Sequence, residues 1–140
     1  MKAEQKLTIE EQLANLGNYG EKRTADQIRY LVVHYTGNDG DTAANNAAYY
    51  QRTVVQASAH YFVDDTSIYR SVPELCTAWA VGGKKYADAE ETGGGTMYQI
   101  VSNSNSISVE LCDTVRDGTY QATEATLENA FVLCRELMAR

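Results

Sequence analysis

Long apolar runs are missing from this 140-residue chain, and no stretch approaches the ~20 apolar residues a membrane-spanning helix needs. Histidine occurs only twice, at His34 and His60, and proline only once, at Pro73. The three cysteines, Cys76, Cys112 and Cys134, are odd in number and lack CxxC spacing, so reduced, mostly buried thiols are expected rather than a disulfide framework. Basic residues are scarce: 12 Lys and Arg stand against 19 Asp and Glu, for a net charge of -7. That balance argues against nucleic acid and against an anionic membrane surface as partners. Met1-Lys2-Ala3-Glu4 leads into a polar stretch, not the apolar core of a signal peptide. The expectation is therefore synthesis in the cytoplasm with no export signal.

Against these absences stand ten tyrosines, which suggest polar-tipped aromatic walls around a groove. The length suits one domain with a real core, so 1–140 reads as a single domain with 1–24 as an N-terminal extension. Thr8 with Glu11 has capping-box spacing and predicts a short helix over 8–15. Leu31-Val32-Val33 is a continuous, partly β-branched run and predicts a strand over 28–34, buried on both faces at the centre of a sheet. Asp41 or Thr42 can cap a helix from Ala43 to about Thr53. Residues 57–64 read as a second strand, and Asp64 to Ser67 turns the chain so that Ile68–Val72 pairs back as a hairpin. Lys84 to Thr96, with Gly93-Gly94-Gly95, reads as a long mobile surface loop. Ile107, Val109 and Leu111 share one face of a further strand, with Ser108 and Glu110 on the other. Leu127, Ala130, Phe131, Cys134, Leu137 and Met138 recur at helical spacing after Thr123. Together these elements predict an α/β fold with a mixed central β-sheet flanked by helices.

Two residues stand out chemically. His34 ends its strand where Thr36-Gly37-Asn38 supplies a turn, so it faces the mouth where loops gather. It could be a metal ligand or a histidine satisfied by a backbone carbonyl. Glu110 is a carboxylate inside an apolar strand. Burial would raise its pKa toward that of a general base, whereas a solvated position would leave it ordinary. A catalytic zinc takes three protein ligands and a water. His60 lies within a strand and reads as a packing residue, and no third histidine exists to finish such a site.

Four segments occur in order: Leu31-Val32-Val33-His34-Tyr35-Thr36, Ser58-Ala59-His60-Tyr61-Phe62-Val63-Asp64, Ala78-Trp79-Ala80-Val81-Gly82 and Asn105-Ser106-Ile107-Ser108-Val109-Glu110-Leu111. From about residue 28 onward the chain resembles the zinc-dependent N-acetylmuramoyl-L-alanine amidases of the type-2 amidase family. That family includes phage endolysins and is related to the peptidoglycan-recognition proteins. The resemblance implies hydrolysis of the amide between N-acetylmuramic acid and L-alanine, with peptidoglycan as partner and the cell wall as the place of action. It makes His34 the first zinc ligand and Glu110 the catalytic glutamate. It places His60, Tyr35 and Trp79 against the substrate. Ser108 stands where the family has Gly, and Ala80 where it has His.

The family's other two zinc ligands lie on a strand and loop past the last helix and have no counterpart before Arg140. The expectation is an incomplete member that holds zinc poorly, is inactive alone and self-associates through a bared sheet edge. His34 and Glu110 are expected to converge across a zinc-and-water span on the order of 5–9 Å, given metal–ligand lengths of about 2 Å. Two other readings stay open: a module that binds peptidoglycan without cutting it, and an unrelated α/β domain in which His34 and Glu110 are coincidental.

Overall fold

The computed structural model describes residues 8–81, 95–97 and 99–140. In chain order its strands are β1 (Glu10–Glu11), β2 (Tyr19–Lys22), β3 (Tyr30–Tyr35), β4 (Tyr61–Val63), β5 (Ile68–Arg70), β6 (Cys76–Ala78), β7 (Ser106–Leu111), β8 (Val115–Arg116) and β9 (Thr119–Tyr120). Its two α-helices are α1 (Ala43–Arg52) and α2 (Glu124–Met138). Five strands form the central sheet in the order β1-β5-β4-β7-β3, while β2 pairs with β6 and β8 with β9. The sheet is mixed: β4 and β3 run parallel to β7, and β5 runs antiparallel to β4 as the expected hairpin.

The period-two alternation of β7 divides the molecule into two layers. Ile107, Val109 and Leu111 face α2, where Tyr61, Val63, Ile68, Ala130, Leu133 and Leu137 complete the main core. The opposite face carries Phe62 and Cys112, which pack with Ala43, Ala59 and Tyr50 beside α1. Both helices begin on threonine caps: the Thr42 hydroxyl accepts from Asn45 N–H and the Thr123 hydroxyl from Thr126 N–H. The buried Asp64 carboxylate accepts the Ala43 N–H as well, which ties the start of α1 to the β4–β5 turn.

Three expectations change. Residues 8–15 hold β1 rather than a helix. The N–H groups of Gln12 and Ala14 donate to the carbonyls of Arg70 and Ser71, so pairing along the β5 side overrides the local capping signal. The central strand is β7, and β3 lies at the sheet edge among the described residues. An apolar run reports β-propensity and burial of one face, not position in the sheet: Val33 remains 51% exposed and Tyr35 58%. The apolar stripe of α2 is only partly covered. Thr126, Ala130, Leu133 and Leu137 are buried, whereas Leu127, Phe131 and Met138 are exposed. The glycine-rich loop expected over 84–96 lies, up to Gly94, outside the described residues; Gly95–Met97 form a 3-10 turn. All three cysteines are free, as the spacing suggested.

Candidate active site

Register brings the two singled-out residues together. His34 of β3 is the Cα partner of Glu110 of β7, and Glu110 is in turn the partner of Phe62 of β4, which pairs with Tyr69 of β5. Alternation sends all four side chains to the α1 face of the sheet. A row therefore runs across four strands from imidazole to carboxylate to two aromatic rings. Tyr50 of α1 closes it from above, its ring stacked on Phe62 with centroids 5.4 Å apart and planes 19° apart.

His34 Nδ1 and Glu110 Oε1 are 3.6 Å apart. That is a close polar contact but too long for a hydrogen bond, and the buried Nδ1 has no hydrogen-bond partner. The pair converges as expected, yet more closely than the expected span, because direct register pairing sets the two side chains side by side. Burial, and then the negative charge of Asp41, pushes the Glu110 carboxyl up to about 7. Burial alone holds the His34 imidazole below its usual range, so it is neutral at neutral pH. The site thus presents a neutral imidazole beside a carboxyl poised between its two protonation states.

The loops after β3 and β7 are stitched over this end of the sheet. Asp113 N–H donates to the Asp41 carboxylate at 2.5 Å, and Gly40 N–H donates to the Asp113 carboxylate at 2.8 Å. Thr114 and Val115 N–H both donate to the Asn38 carbonyl. Gly37 takes a left-handed φ of 72°, which is why a glycine follows the histidine strand so closely. Asp41 and Tyr50 were not singled out in the sequence. Asp41 looked like a helix cap, a role that Thr42 and Asp64 fill instead. Tyr50 was one tyrosine among ten, without a motif.

The three residues expected to touch substrate fare differently. His60 is 0% exposed and does not line the site. Its Nδ1 accepts from Ser108 N–H at 3.1 Å and its Nε2 lies 2.9 Å from the Cys76 carbonyl, which fixes the proton on Nε2. The Arg23 guanidinium packs 3.2 Å from the same nitrogen, and burial pushes the imidazole down to about 4. His60 is therefore a neutral histidine that ties β4, β6 and β7 together. Tyr35 is exposed, but alternation turns it to the α2 face, away from His34, where it packs on Tyr120 with centroids 5.4 Å apart. Trp79 is half-buried. Its main chain exchanges hydrogen bonds with Ser58 at the shoulder of β4, and its indole lies so close over Gly20 that a Cβ there would meet Nε1 at 2.8 Å. The N–H groups of Ala80, the position the resemblance matches to a family His, and of Val81 both donate to the Asn103 side chain.

Zinc is the metal the resemblance brings, and the donor set can be tested against it. The unpartnered Nδ1 of His34 suits one ligand. Among the described residues, however, no three His, Cys, Asp or Glu side chains come together to hold a metal ion. The described residues therefore do not fit a complete catalytic zinc site.

Comparison with known proteins agrees with this fold. A family model described as N-acetylmuramoyl-L-alanine amidase matches residues 24–140. The N-acetylmuramoyl-L-alanine amidase BlyA of Bacillus subtilis (strain 168) is 31% identical over 113 residues, covering 78% of this chain and 30% of its own length. The amidase CwlL of Bacillus licheniformis is 30% identical over 118 residues, covering 81% of this chain and 30% of its own. The chain thus spans about a third of the length of these curated relatives. Among solved structures, a mutant endolysin from Bacillus subtilis matches with a TM-score of 0.69 at 26% identity, over 96% of this chain and 77% of that one. The catalytic domain of XlyA matches with a TM-score of 0.68 at 25% identity, over 95% of this chain and 76% of that one. The pairing of a strand-end histidine with a half-buried glutamate, the mixed sheet that holds them and the family match over residues 24–140 lead to one conclusion: this chain belongs to the N-acetylmuramoyl-L-alanine amidase family.

Proposed function

We propose that this chain carries the proton-handling part of a peptidoglycan amidase, acting on the amide between N-acetylmuramic acid and L-alanine. The observation that carries the reading is the Glu110 carboxyl, half-buried beside a neutral His34 and held near neutrality. A base that titrates near the working pH is half ionised and can both take and return a proton. In the proposed step, Glu110 accepts a proton from water as the water oxygen bonds to the muramyl carbonyl carbon. The carbon–nitrogen bond then breaks, and the same proton passes to the departing L-alanine nitrogen, leaving a free amine and a carboxylic acid that loses the second water proton to solvent. Tyr50, half-buried and stacked on the fully buried Phe62, offers the aromatic surface beside Glu110 against which the substrate lies. Zinc is the cofactor implied by membership of the family, with His34 as its ligand in this chain.

A second reading, a module that grips peptidoglycan without cutting it, is favoured by the short donor set around His34. Against it stands Glu110, since a binder gains nothing from burying a carboxylate that costs stability when ionised. The experiment separates the two. Wild-type and Glu110→Gln chains are given a muramyl-L-alanyl peptide and purified cell wall with added zinc. Binding is expected in both, and at zinc concentrations high enough to load a single imidazole, slow release of L-alanine amino termini is expected from the wild type alone. Equal release by the two proteins, or no binding by either, overturns the catalytic role.

A further inference from the structure

We infer that, among the described residues, His34 is the one side chain free to ligate zinc, so that the chain holds zinc only as weakly as a single imidazole does. The inference takes zinc from the proposed function and then counts donors. The sequence holds two histidines and three cysteines, and all five are described. His60 is fully buried with both ring nitrogens engaged by Ser108 N–H and the Cys76 carbonyl. Cys112 is fully buried among Ala43, Ala59 and Phe62, next to the Asn46 amide, and burial pushes its thiol well above the usual range. Cys134 belongs to α2, which covers the opposite face of the sheet from His34. Cys76 sits on β6, where its carbonyl serves His60. No histidine or cysteine therefore gathers with His34 into a three-donor group among the described residues.

The carboxylates do not fill the gap. Glu110 is close enough, but a Glu110 oxygen on the metal is no longer the free base the reaction needs. Asp41 spends its oxygens on Asp113 N–H and on the Asn46 side chain at 2.5 and 2.7 Å. Outside the described residues the chain offers only the carboxylates of Glu4, Asp88, Glu90 and Glu91. Among the described residues, a binding energy that a three-ligand site gathers from three bonds comes from one.

The test is zinc content and thermal stability of the 140-residue protein, neither of which reads activity. After equilibration with zinc and dialysis into zinc-free buffer, less than about 0.1 zinc per chain is expected. Zinc is also expected to leave Tm unmoved, because a ligand below its Kd does not stabilise. His34→Ala should behave the same in both assays. Retention of about one zinc per chain with a raised Tm, lost in His34→Ala or in a variant with Asp88, Glu90 and Glu91 as amides, overturns the inference. That result would leave the amidase reading standing. Failure to bind the muramyl peptide would remove that reading and leave the zinc count unchanged.

Discussion

At Glu110, burial and the charge of Asp41 push in the same direction, and the consequence is a pH-dependent stability of definite sign. The folded carboxyl titrates near about 7, against 4.5 for the unfolded reference. The protonated form is favoured by folding, so the stabilisation is complete below about pH 4.5 and is lost as pH rises through about 7. Glu110→Gln keeps the shape without the charge. The variant should match the wild type at pH 4.5 and exceed it by on the order of 2–3 kcal/mol at pH 8 in urea denaturation. A difference that stays constant with pH would show that Glu110 is not desolvated. His60 moves the wild type the opposite way, since its depressed imidazole loses stability as pH falls from 6.5 toward about 4, but it does so equally in both proteins and cancels from the difference. The convergence of His34 and Glu110 was legible in the sequence because a strand-end histidine and a carboxylate in an apolar strand are both chemically exceptional. The fate of His60 was not. Its motif gives a position along the strand, and depth is set by Arg23, Ser108 and Cys76, which are remote in sequence.

Among the elements, α1, α2, β7 and the β4–β5 hairpin followed from periodicity, caps and turn residues. The errors at β1 and β3 share one cause, because each depends on which strand lies alongside, and local pattern does not carry that information. In α2 the same limit appears side chain by side chain. Leu133 and Phe131 both fit the apolar spacing, yet Leu133 is 0% exposed and Phe131 65%. Leu133→Ala should therefore cost about 2–4 kcal/mol, as truncations in a closed core do. Phe131→Ser should change stability by no more than about 0.5 kcal/mol. Comparable losses for both in chemical denaturation would mean that Phe131 is covered in solution. The edge strand β3 raises a different issue. Tyr30 to Tyr35 carries no acidic, lysine or proline residue to blunt the side left unpaired among the described residues, and such edges pair with other chains. Sedimentation should show association that grows with concentration and is suppressed in Val33→Lys. A wild type that stays monomeric, or a variant that associates equally, would contradict this.

Taken together, the strands sort the chain into two chemically distinct layers. One is an apolar core between the sheet and α2. The other is a face on which His34, Glu110, Phe62 and Tyr69 lie in one row beneath Tyr50. Structural matches to endolysin amidases cover nearly all of this chain, so the layering is that of the family. Mixed-sheet architecture was readable from the order of the segments, whereas the loop clasp through Asp41 and Asp113 was not, since both residues look like ordinary turn formers until β3 and β7 pair. The central claim is that the α1 face, at the His34–Glu110 pair, receives the muramyl peptide. Amide and side-chain chemical shifts of the isotope-labelled protein, followed while a muramyl-L-alanyl peptide is added, test it most directly. The account predicts saturable shifts confined to His34, Thr36, Asp41, Tyr50, Phe62 and Glu110, with α2 unmoved. Shifts centred on Leu127, Phe131 and Met138, or none at all, would contradict it.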